Sequence, residues 1–134
     1  MSKKYLNPDS LFPSVQHGFS QVVVASGRKM VFISGQTAWD VHKKIIGGDD
    51  LLEQARQALR NLQAAIEATG GTLNDIVSLR IYIVNYQPQN AEAVSIALRE
   101  FFSSTNPPAS TWIGVSALAV PEFLIEIEAT AVLD

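Results

Sequence analysis

The sequence of 134 residues has no cysteine. That excludes disulfides, zinc–thiolate sites and a thiol nucleophile. It has only two histidines, His17 and His42, which share no helical spacing and give no credible metal site. Charge is sparse as well: 17% of residues are charged, and the formal net charge is −3. Basic residues come at most in pairs, among them Lys3-Lys4 and Lys43-Lys44, both in stretches that read as solvated loops. A dedicated nucleic-acid binder presents a basic face, so no nucleic-acid partner is expected. No apolar run approaches the roughly 18 residues that a membrane helix needs. Met1 to Pro8 lacks the apolar centre of a signal peptide, so no membrane partner and a cytoplasmic location are expected. Neither Gly-x-Gly-x-x-Gly nor a P-loop occurs, and no cofactor is expected.

What is present is apolar patterning. Hydrophobic residues make up 47% of the chain, enough for the core of one domain spanning residues 1–134. Residues 1–18, interrupted by Pro8 and Pro13, read as an irregular arm. Residues 21–25 and 30–34 read as strands joined by the tight connection 26–29, a β-hairpin. A loop runs from Thr37 to Asp50, with Gly47-Gly48 marking a flexible end. Asp49 or Asp50 can then cap a helix whose apolar stripe is Leu52, Ala55, Leu59, Leu62 and Ile66, stopped by Gly70-Gly71.

Residues 75–86 hold a strand with Val77, Leu79, Ile81 and Ile83 on one face and Ser78, Arg80, Tyr82 and Val84 on the other. Pro88 suits the first turn of a second helix, with Ala91, Val94, Leu98 and Phe101 as its stripe, broken at Asn106-Pro107-Pro108. Residues 111–117 and 123–132 are the last two strands. The order β-β-α-β-α-β-β predicts an α+β fold: a mixed sheet with both helices on one face. The opposite face then needs cover. A chain this apolar and this sparsely charged fits an oligomer.

Several residues are candidates for chemistry. Glu126 and Glu128 lie two apart on a strand and so share a face. They are either acid/base groups or structural residues of a solvated or interfacial sheet face. Ser34-Gly35-Gln36 ends the second strand; a glycine there lets a ligand approach the backbone, or simply lets the chain leave the strand. Trp112 either stacks on a ligand or belongs to the core. Arg80 is either a cation at a subunit contact or half of a structural ion pair. His17 is either a base beside a cleft or a surface residue. His42 receives no role.

Four segments occur in a telling order: Gly18-Phe19-Ser20-Gln21, Ile33-Ser34-Gly35-Gln36, Pro108-Ala109 before a strand, and Ile125-Glu126-Ile127-Glu128-Ala129. From Phe19 to Leu133 the chain resembles the Rid family, the YjgF-like reactive-intermediate deaminases. The resemblance implies a chorismate-mutase-like fold and a homotrimer with small-molecule clefts between subunits. It makes Glu126 the catalytic residue, matching a family glutamate that positions water, and leaves Glu128 structural. It implies substrate-binding roles for Phe19, Ser34, Gly35, Ser95, Ser110 and Trp112.

Three of these positions depart from the pattern. Phe19 stands where many catalytic members have tyrosine, and Ser95 roughly where an asparagine appears. Trp112 stands where a smaller residue, often cysteine, is usual. The fourth departure is decisive: catalytic members carry arginine directly after Pro-Ala, and here the residue is Ser110. That arginine holds a substrate carboxylate through a bidentate, charge-assisted contact, which one neutral hydroxyl cannot replace.

The resemblance therefore implies hydrolysis of a small enamine or imine to a ketone and ammonia, with a substrate other than an ordinary 2-imino acid. The alternative is a non-catalytic, small-molecule-binding or regulatory trimer. Ribonuclease or translation-inhibitor activity, which some relatives carry, fits poorly with an acidic chain.

Overall fold

Alternating hydrophobicity builds one four-stranded sheet, and two amphipathic helices cover one side of it. In the computed structural model, which describes residues 2–134, the elements run in this order: β1 (Ser2–Leu6), β2 (Val22–Ser26), β3 (Lys29–Gln36), α1 (Leu51–Glu67), β4 (Ile76–Val84), α2 (Asn90–Phe101), β5 (Ala109–Val115) and β6 (Ile125–Leu133). The large sheet has the order β3-β6-β4-β5. Strand β6 is antiparallel to both its neighbours, and β5 is parallel to β4. This is the expected α+β architecture with a mixed sheet.

Helix α1 starts where the Asp50 side chain accepts from the Glu53 N–H, so the second of the two aspartates is the cap. Ala55, Ala58, Leu59, Leu62 and Ile66 are its fully buried face. Leu52 is only partly buried, and Gln54 takes an inner position instead. Gln54 tolerates the core because its amide is saturated: Nε2 donates to the carbonyls of Gly48 and Glu122, and Oε1 accepts from the Leu124 N–H. Gly70 turns the chain away with φ 87°, a conformation that suits glycine. Helix α2 packs beside α1 and buries Val94, Ala97 and Leu98. Ile33, Leu79, Ile81, Ile83, Ile125 and Ile127 face the helices from the sheet.

The structure differs from the sequence reading at further places, among them Pro88, which precedes α2 and does not lie in its first turn. Ser2–Leu6 is not irregular; it pairs antiparallel with β2, Leu6 opposite Val22 and Ser2 opposite Ser26. The two strands read as a hairpin belong to different sheets, β2 pairing with β1 and β3 with β6. The reason lies in their connection. Gly27 crosses the end of β6 so closely that a Cβ there would lie 2.6 Å from the Leu133 carbonyl oxygen, and the Arg28 N–H donates to that same oxygen at 2.8 Å. Val77 falls off the inner face because the β4–β6 register shifts between Ile76 and Ser78. Strand β5 starts at Ala109, which places Ser110 within the strand.

The sheet face away from the helices carries Ser78, Arg80, Tyr82, Glu126, Glu128 and Thr130, with apolar residues at one edge. Phe32 is 74% exposed and Met30 63% exposed there. Among the described residues no helix is long and apolar enough to cross a membrane.

Candidate functional site

Strand β6 sets Glu126 between the buried Ile125 and Ile127, so its side chain leaves the core. Neighbouring β3 shifts register between Ile33 and Gln36, and the irregular stretch contains Gly35. Gly35 lies directly on the Glu126 side chain: a Cβ at this position would overlap Oε2 and stand 2.7 Å from the carboxyl carbon. Glycine here lets the backbone approach the carboxylate in this position. An open cleft of about 610 Å³ begins here, bounded by Gly35, Trp39, Asp40, Asn61, Phe123 and Glu126.

The far wall is a loop tied down by helix α1. Asn61 Nδ2 donates to the carbonyls of Thr37 and Trp39, both at 2.8 Å, while its Oδ1 accepts from Gln57 Nε2 at 3.0 Å. Trp39 meets Phe123 edge-on, with ring centroids 4.9 Å apart. The Lys43 ammonium sits 5.5 Å from the Trp39 ring centroid. Asp40 Oδ1 accepts from the N–H groups of His42 and Lys44, at 2.8 and 2.9 Å, which closes the loop tip. The Lys44 N–H in particular holds the Asp40 carboxyl below the usual carboxylate range. Lys43 has φ 62° in that turn, a backbone conformation non-glycine residues seldom adopt.

A second cluster surrounds the start of β5. Trp112 Nε1 donates to Ser110 Oγ at 3.0 Å. Phe19 lies edge-on to Trp112 with centroids 5.8 Å apart, and Phe12 lies edge-on to Phe19 at 6.1 Å. The His17 ring follows at 6.3 Å from Phe12. Trp112 also packs against the hydrophobic core. Ser95 lies beneath, buried on α2, where Gly18 passes over Leu98 and the Ser95 carbonyl. Gly18, with φ 99°, supplies the turn that brings Phe19 to this place.

The expected site residues thus fall into two groups. Gly35 and Glu126 share the cleft, whereas Phe19, Ser110 and Trp112 gather at β5 with Ser95 below. Ser34 is exposed, and its carbonyl accepts from Gln36 Nε2. Strands β3 and β5 are opposite edges of the sheet, roughly three strand spacings or 14 Å apart. Ser110 and Trp112 pair with Leu79 and Ile81 and therefore face the helix side, unlike Glu126. One chain does not unite the two groups.

On the outer face the Tyr82 hydroxyl donates to Glu128, and this bond, first among its causes, pushes the Tyr82 phenol up. Arg80 stands opposite Glu128 in the register and not beside Ser110. Sequence reasoning missed Trp39, Asp40, Asn61 and Phe123. Of these, only Trp39, a large aromatic in an otherwise polar loop, carried a signal that could have been noticed.

A mixed sheet covered by two helices is the fold of the YjgF/Rid type. The chain belongs to the endoribonuclease L-PSP family, whose model matches residues 11–133. It is 31% identical, over all 134 residues and the whole of the relative, to a 2-iminobutanoate/2-iminopropanoate deaminase of Dermatophagoides farinae. The crystal structure of YyfB from Yersinia pestis, a Rid-family protein of unknown function, is 43% identical with a TM-score of 0.94, covering 99% of this chain and 100% of that one. The YjgF gene product of Escherichia coli is 29% identical with a TM-score of 0.68, covering 81% of this chain and 84% of that one.

Proposed function

We propose that the protein is a hydrolase of small imines or enamines, acting as a homotrimer with its sites between subunits. The observation that carries this reading is the Glu126 carboxylate laid against Gly35 at the edge of an open cleft. A carboxylate so placed can hold a water and take its proton as the oxygen adds to the imine carbon. Returned to nitrogen, that proton makes the amine a leaving group. The C–N bond breaks, the added hydroxyl becomes the carbonyl, and imine plus water yields ketone plus ammonia. Kinship with a protein called an iminobutanoate/iminopropanoate deaminase supports the reaction type.

The split of the site supports the assembly. Phe19, Ser95, Ser110 and Trp112 would serve a cleft whose Glu126 and Gly35 come from a neighbouring copy, and the outer sheet face supplies a surface for contact. Phe32, at the edge of that face, anchors the contact in this reading. Phe32→Glu is expected to turn a trimer into monomers by light scattering, because it would bury an unpaired charge. A trimer that persists in this variant would rule out that face as the interface.

Ser110 sets the substrate. Its oxygen already accepts from Trp112, and a neutral hydroxyl cannot clamp a carboxylate as a guanidinium does. The substrate is accordingly not an ordinary 2-imino acid. The test is ammonia release from 2-iminobutanoate generated in situ, with wild type compared with Ser110→Arg. Activity only in Ser110→Arg is the expected result. High activity in the wild type would show that another cation replaces the arginine.

The same Trp112–Ser110 bond favours one other reading, a non-catalytic binder whose aromatic cluster has closed over the former anion site. Saturable ligand binding without turnover of any imine would establish it. A ribonuclease role is disfavoured by the cleft itself, whose charged lining residues are Asp40 and Glu126.

A further inference from the structure

The charge of the cleft says more about the ligand than the hydrolase reading does. Both charged side chains that line it, Asp40 and Glu126, are acidic, and neither lysine nor arginine is among the lining residues. The other lining residues are uncharged, apolar at Trp39, Val41 and Phe123 and polar at Gln36, Thr37 and Asn61. Trp39 is met edge-on by Phe123, and Val41, 90% exposed, forms the lip.

This wall is built to stay in place. Asn61 fixes the carbonyls of Thr37 and Trp39, and Asp40 fixes the loop tip through two backbone N–H groups. Phe123 is held from both sides, since Gln54 binds the Glu122 carbonyl and the Leu124 N–H. Lys43 stands over the Trp39 ring at 5.5 Å, so this indole already has a cation as neighbour. An anion entering here would lose hydration and meet two carboxylates, against the Lys43 ammonium at the Trp39 ring. A cation with an apolar group meets complementary partners at both ends.

We infer that this cleft selects a cationic ligand without a carboxylate, namely the iminium of a primary amine bearing an apolar or aromatic group. Its positive nitrogen faces the Glu126 and Asp40 carboxylates, and its organic group lies on Trp39 and Phe123. Trp39 is then the specificity-determining residue, and Asn61 a positioning residue that acts through the loop. The inference rests on the imine-hydrolase reading for the reaction but not for the binding. For a benzyl substrate the balance is simple: benzaldiminium and one water give benzaldehyde and ammonium, with atoms and charge conserved.

Calorimetric titration of the full-length protein at neutral pH with benzylammonium, benzyl alcohol and benzoate reads the ligand class directly. Benzylammonium is expected to bind roughly tenfold or more tightly than either of the others, and more weakly as salt rises. Trp39→Ala and Glu126→Gln should each weaken it roughly tenfold, while Trp39→Phe keeps most of the affinity and so separates loss of the wall from loss of the fold. Binding of benzoate as tight as that of benzylammonium overturns the inference. So does absence of benzylammonium binding, or binding indifferent to both Trp39→Ala and Glu126→Gln.

Turnover is read separately, as ammonia released from benzylamine oxidised in situ by a flavin amine oxidase. Trp39-dependent benzylammonium binding without hydrolysis upholds the ligand class and removes the hydrolase reading. Hydrolysis of 2-iminobutanoate without benzylammonium binding does the reverse.

Discussion

Glu126→Gln is expected to lower imine hydrolysis roughly 10²–10⁴-fold, the usual contribution of a positioned acid/base group. Glutamine keeps the length and nearly the volume of glutamate, so the tight contact with Gly35 survives and the fold should not change. What disappears is the ability to accept a proton from water and hand it on to nitrogen. Ammonia release under saturating substrate checks this, with far-ultraviolet circular dichroism to confirm the fold. Glu128→Gln is the matched control. Its carboxylate takes the Tyr82 hydroxyl on the outer sheet face and lines no part of the cleft. If Glu126→Gln turns over as fast as wild type, Glu126 is not the acid/base group and the hydrolytic mechanism drawn above is wrong.

Gln54→Leu is expected to destabilise the protein by about 3 kcal/mol or more. Three backbone groups lose their partner in this variant: the carbonyls of Gly48 and Glu122 and the N–H of Leu124. Each buried polar group left unpaired costs about 1–3 kcal/mol. Leucine has similar bulk, so the loss reports hydrogen bonding and not a cavity. In a domain of this size that corresponds to a fall of roughly 10 °C or more in Tm. The same clamp fixes the residues on either side of Phe123, so the wall of the cleft should loosen, raising KM more than it lowers kcat. Thermal unfolding and steady-state kinetics test the two parts. A melting temperature unchanged by the substitution would mean that water or a rearranged backbone satisfies all three groups.

Much of the fold was legible because its causes are local. The α1 stripe, the Asp50 cap and the alternation of Ile125, Glu126 and Ile127 follow from periodicities of 3.6 and 2.0. Alternation identifies a strand without identifying its partner, which is why β2 and β3 read as a hairpin. Their separation depends on Gly27 and Arg28 meeting Leu133, more than a hundred positions away in sequence. Strand β1 was hidden for the same reason: Lys3, Lys4 and Tyr5 have little pattern of their own until β2 lies beside them. The register shift that takes Val77 off the inner face leaves no local trace either.

The candidate site divides along the same line. By itself the sequence determined the α+β class, the apolar faces and the common strand face of Glu126 and Glu128. Each of these is a property of residue type and near-neighbour spacing. Only the tertiary structure decided that Trp39, Asn61 and Phe123 wall the Glu126 cleft, that Trp112 engages the Ser110 hydroxyl, and that Glu126 and Ser110 lie apart within one chain. Those outcomes depend on which distant segments pack together. That choice is made by burial of the whole apolar set and by saturation of backbone groups, both properties of the folded chain and not of any one stretch of it.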